Sequence, residues 1–112
     1  MDDPWFSGYA DELAALLVDA RVCAEVCETY LDAVAGDPEL LRRAVETLAA
    51  PVAVSRVLID LIDQPPRLVL AAGGLCHDLT SAAADDSPGP ANVVDALRAV
   101  AASAGALLDS AG

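Results

Sequence analysis

Three cysteines and a single histidine are the residues of this chain whose type and spacing point to specific chemistry. Cys23 and Cys27 are four apart, so on a helix their side chains stack one turn above the other, with Cβ atoms about 6 Å apart. A disulfide needs Cβ atoms about 3.8 Å apart and does not form readily within an intact helix. Two thiolates so placed can share one soft ion, Cu(I) or, with further donors, Zn(II). Cys76 and His77 are the candidates for those further donors, which makes the candidate metal-ligand set Cys23, Cys27, Cys76 and His77. Adjacent helix residues point about 100° apart, so Cys76 and His77 reach one ion together only if it lies between helices, and the geometry favours one of them. Buried cysteine also serves as a small hydrophobe, and in an alanine-rich bundle that role competes with metal binding for all three thiols.

No other chemistry is legible. The single histidine is accompanied by no G-x-S-x-G elbow, no phosphate-binding glycine loop and no H-E-x-x-H. No Glu-x-x-His pair marks a di-iron carboxylate bundle. Catalysis is not expected, and no cofactor other than Cu(I) is implied. The balance of 18 acidic against 6 basic residues, a net charge of −12, repels phosphate backbones and anionic lipid, so nucleic acid is not an expected partner. The start, Met1-Asp2-Asp3-Pro4, lacks the cationic and apolar pattern of a secretory signal. With an odd number of cysteines this points to reduced thiols in the cytoplasm. Arg56 and Asp60 interrupt one apolar run and His77-Asp78 closes another, so no membrane span is expected.

The elements that must position the thiols read as four helices in one domain of 112 residues. Leu13, Leu16, Ala20, Cys23, Cys27, Tyr30 and Val34 recur at steps of three and four, the seam of a bundle helix over roughly residues 8–35, with both cysteines on it. Gly36 stands where a left-handed C-terminal cap is expected. Asp37-Pro38-Glu39 supplies an N-cap acid, a proline suited to the first turn and an acid that complements the positive helix end. The second helix then spans about 38–63, with Leu41, Val45, Leu48, Val52, Ser55, Ile59 and Ile62 as its stripe. Pro51 deprives Thr47 of a hydrogen bond, so this helix is expected to be kinked there or broken in two.

Asp63-Gln64-Pro65-Pro66 requires a tight reversal. A third helix over 66–84 carries Leu68, Ala72, Leu75, Leu79 and Ala82 on one stripe and is apolar nearly all round, which predicts burial on most sides. Its Gly73-Gly74 pair costs about 1 kcal/mol per residue relative to alanine. Either close approach of a neighbouring helix compensates, or the backbone leaves a gap for a ligand or a second chain. Asp85 to Pro90 form a loop, and Asn92 is the expected cap of a last helix over 92–110 with Val93, Leu97, Val100, Ala104 and Leu107 inside. Trp5, Phe6 and Tyr9 are expected to close the end of the bundle. Short loops make neighbours antiparallel, so the fold class is an all-α antiparallel four-helix bundle.

The run Ala20-Arg21-Val22-Cys23-Ala24-Glu25-Val26-Cys27-Glu28, a second long helix, a proline turn and a third helix with Cys76 together resemble the small cysteine-rich four-helix-bundle family that includes bacterial copper-storage proteins. The resemblance implies C-x-x-x-C thiolates pointing into the core and binding Cu(I), with Cys23 and Cys27 as the matching pair and Cys76 a looser match. Family members line the core with many cysteines, whereas Ala20, Leu48, Val52, Leu75, Leu79 and Leu97 stand at comparable positions here. Bulk copper storage is therefore not implied.

Three roles follow in order. The first is a non-catalytic structural or protein-interaction module that forms a homodimer or binds a protein partner through its alanine- and glycine-rich faces. The second is a soft-metal protein using Cys23 and Cys27 with Cys76. The third, behind both, is a thiol redox sensor or enzyme.

Overall fold

The computed structural model describes residues 10–60, 66–86 and 90–111. They form four helices, α1 (Ala10–Ala33), α2 (Pro38–Asp60), α3 (Pro66–Asp86) and α4 (Ala91–Ala111), with no strand among the described residues. Each helix packs on the one before and after it, and α4 closes on α1, while the diagonal pairs meet weakly. This is an all-α four-helix bundle in which chain order is ring order. The expected Trp5, Phe6 and Tyr9 cluster, the 63–65 reversal and the centre of the loop before α4 lie outside the described residues.

The α2 start is built as its sequence requires. Asp37 Oδ1 accepts from the backbone N–H groups of Glu39 at 3.1 Å and Leu40 at 3.2 Å, and its carbonyl accepts the first helical bond from Leu41 at 2.9 Å. Two otherwise orphaned donors are thereby satisfied. The other caps differ from expectation. No glycine among the described residues has positive φ, so Gly36 is not a left-handed cap. Instead α1 ends in tight turns, with Ala35 N–H donating to Asp32 O and Asp37 N–H to Val34 O. At α4 the Pro90 carbonyl accepts from Val93 and Val94, so Pro90 opens the helix and Asn92 lies inside its first turn. Pro51 does not break α2, which runs continuously from Pro38 to Asp60 with Pro51 buried on its inner side.

Two inner stripes match their predicted residues and two are rotated. Leu13, Leu16, Ala20, Cys23 and Cys27 of α1 are buried, as are Val93, Leu97, Val100, Ala104 and Leu107 of α4. In α2 the inner residues are Ala44, Leu48, Pro51, Val54, Ser55 and Leu58, and Val45 is exposed. In α3 Val69, Ala72, Cys76, Thr80 and Ala83 face inward. Leu68, Leu75 and Ala82 are exposed, so α3 is not buried on most sides. The reason is that alanine, glycine and proline can fill the seam where helices approach closely, leaving larger residues outside.

Among the described residues one helix segment, Ala91–Ser110, is long and apolar enough by length and composition alone to cross a membrane. Alanine gives α4 this character, and its largest apolar side chains turn into the bundle.

The Gly73-Gly74 pair divides. A Cβ on Gly73 would meet Leu107 Cδ2 at 3.5 Å, ordinary contact, and one on Gly74 would meet nothing within 4 Å. Close packing therefore does not require glycine at residue 74. Gly74→Ala is expected to raise stability by about 0.5–1 kcal/mol through backbone entropy, seen as a higher urea midpoint with unchanged slope. A lower midpoint would show that the glycine serves another purpose.

Candidate metal centre

The α1 stripe carries both cysteines into the core, where Cys23 and Cys27 are fully buried and their sulfurs lie 4.0 Å apart. One S–H faces the other sulfur. The two thiols consequently titrate as a pair. Cys27 is pulled below the usual thiol range because its thiolate accepts the Cys23 S–H, against burial and the nearby Glu28 carboxylate. Cys23 is pushed far up, first by that same hydrogen bond, then by burial and by the charges of Cys27 and Cys76. The pair gives up one proton more readily than the other, because the remaining S–H stabilises the neighbouring thiolate.

Cys76 is fully buried on the inner side of α3, and its field reaches Cys23. Burial pushes its thiol up, partly offset by the Ser55 hydroxyl beside it. Ser55, on the neighbouring α2, is itself fully buried. Although close enough to act on Cys76, its Oγ meets no partner in hydrogen-bond geometry. Thr80, the other buried polar residue of this region, is satisfied within α3 by donating to the Cys76 carbonyl at 2.7 Å. The contrast singles out Ser55.

His77 turns to α4. Its Nδ1 lies 2.9 Å from the Ala101 carbonyl, and because a carbonyl only accepts, Nδ1 carries the proton. The ring sits against Gly105, where an added Cβ would come within 3.6 Å of Cε1. Cys76 is thus directed toward α2 and His77 toward α4, as their angular offset on one helix requires. Among the described residues no three His, Cys, Asp or Glu side chains are gathered into a ready metal site. The structure brings Cys23 and Cys27 together, sets Cys76 within electrostatic reach, and gives His77 a separate interhelical contact.

Two polar clasps close the seams around the thiols. Arg56 Nε donates to Glu28 Oε1 at 2.7 Å, tying α2 to α1 next to Ser55 and Cys27. Ser103 donates to Asp19, tying α4 to α1. Sequence spacing did not single out Ser55 as a site residue, although a hydroxyl on an otherwise apolar stripe was a visible sign. Ala101 and Gly105, which seat His77, carried no such sign. No known protein family, curated protein or solved structure matches this chain.

Full burial of the three thiols predicts that iodoacetamide at pH 7 leaves the native protein unlabelled over hours and adds three groups per chain in urea, counted by intact mass. Rapid native labelling of Cys23 or Cys76 would contradict their burial and raised pKa.

Proposed function

We propose that the protein binds a single soft metal ion, Cu(I), through Cys23 and Cys27. The observation that carries this is the 4.0 Å separation of two sulfurs sealed in the core. Metal–sulfur bonds of about 2.3 Å let one ion bond both without unwinding α1. Soft thiolates and a low coordination number suit Cu(I), whereas tetrahedral Zn(II) requires four donors. The resemblance to copper-storage bundles supports the same ion. Cys23 and Cys27 would hold it; the ion would supply the positive charge that makes two thiolates tolerable in a dry core.

Competition of the reduced protein against a chromogenic Cu(I) chelator tests this. Wild type is expected to take one equivalent, and the Cys23→Ala, Cys27→Ala double variant none. Equal failure of both would end the proposal. Because Cys23 is held protonated, loading must displace its proton, so apparent affinity rises about tenfold per pH unit for each proton released. A flat profile between pH 6 and 8 would exclude a thiolate site.

A second reading has its own observation. Leu68 and Leu75, 42% and 54% exposed, lie two turns apart on the outer side of α3 with the exposed Ala71 between them. This apolar strip supports self-association of two copies through α3. Sedimentation should show a dimer that the Leu75→Glu variant abolishes and the double cysteine variant retains. A monomer at high protein concentration would remove this reading.

A further inference from the structure

The unpaired carbonyls of a helix's last turn carry partial negative charge, so a base there stabilises the fold and an acid there opposes it. In this chain the charges at every helix C-terminus have the opposing sign. The last described turn of each of the four helices holds no basic residue. Each holds aspartate instead: Asp32 in α1, Asp60 in α2, Asp85 and Asp86 in α3, and Asp109 in α4, all of them exposed. The helix N-termini restore little of this. The first turns of α3 and α4 carry no acid, and only Asp11, Glu12 and Glu39 stand where an acid is favourable.

This placement adds to the self-repulsion of a chain with 18 acidic and 6 basic residues. Ion pairs offset little of it, because those formed among the described residues, Arg42–Glu46 and Arg56–Glu28, are exposed and therefore weak. Salt changes the balance. The distance over which charges act falls from about 30 Å at 0.01 M to about 3 Å at 1 M, which screens each aspartate from the carbonyls beneath it. Screening weakens the two ion pairs as well, but they are outnumbered by the five opposed aspartates.

We infer that the stability of this bundle is governed by ionic strength: dissolved cations supply the counter-charge that its helix C-termini lack, so the fold is weakened in dilute buffer and strengthened by salt. The cations act as a diffuse atmosphere, since among the described residues no three carboxylates gather around one point. This response is independent of metal at the thiols and belongs to the metal-free protein.

Urea unfolding of the reduced, metal-free protein in 0.01 M and 1 M NaCl tests it. The midpoint is expected to rise by about 1 M urea between the two, and equally in KCl. Two variants separate helix ends from net charge. Asp32 and Glu39 flank the turn between α1 and α2, both exposed, so Asp32→Asn and Glu39→Gln each remove one negative charge from the same end of the bundle. One lies at a helix C-terminus and the other at a helix N-terminus. In 0.01 M NaCl, Asp32→Asn should raise the midpoint and Glu39→Gln lower it, each by about 0.5 M urea, and both should converge on wild type in 1 M NaCl.

A midpoint that fails to rise with NaCl would overturn the inference. Equal shifts in the two variants would trace the salt response to net charge alone and remove the helix ends as its cause. Saturation by millimolar MgCl2 at constant ionic strength would reveal a discrete cation site and overturn the diffuse atmosphere.

Discussion

Helix α1 is flanked by α2 on one side and α4 on the other. The face it turns inward, from Leu13 through Ala20 to Cys27, must therefore be apolar and narrow enough for both neighbours to close over it. Small residues at Ala20, Cys23, Ala24 and Cys27 meet that demand, all four being buried. On the other three helices, Ala44, Ala72, Ala83, Ala96 and Ala104 are buried as well. A core built this way relies on close backbone approach, because each small side chain contributes little area of its own. Helix periodicity stacks two thiols on that face, their sulfurs 4.0 Å apart, and the same narrowness shuts them away from water.

That constraint explains which parts of the fold were legible. On α1 and α4 the larger apolar residues coincide with the inner stripe, so periodicity identifies it directly. On α2 and α3 they do not. Val45, Leu68 and Leu75 lie outside while Ala44, Pro51, Ala72 and Gly73 lie inside, and a stripe drawn through the largest residues rotates by about one position, roughly 100°. Cys76 illustrates the consequence. With Leu75 assigned inward, Cys76 fell outside the drawn stripe; with Val69, Ala72, Thr80 and Ala83 inward, Cys76 belongs to the centre of the face. Asp37 was legible for the opposite reason, since capping depends on local chemistry that no neighbouring helix can alter.

The same rotation separates Cys76 from His77. A metal set drawn from sequence takes in both as neighbours, but only one of two adjacent helical residues can face a given partner. Cys76 takes α2 and Ser55; His77 takes α4, where its Nδ1 meets the Ala101 carbonyl and its ring lies against Gly105. Tertiary seating of this kind depends on which residue of α4 lies opposite, and no short-range pattern in the chain encodes that register.

Burial of thiols in a dry bundle has two opposing consequences for chemistry. It disfavours thiolates, as the raised Cys23 and Cys76 thiols show. It also removes water as a competing ligand and strengthens any charge interaction that does form inside. A cation that binds thiolates must overcome the first effect, by displacing their protons, and gains from the second. The charge of −12 carried by the chain raises the local concentration of cations at its surface without selecting among them. Were an ion to bind as proposed, selection would fall to the sulfurs within, since thiolates favour a soft ion over a hard one that must keep its water.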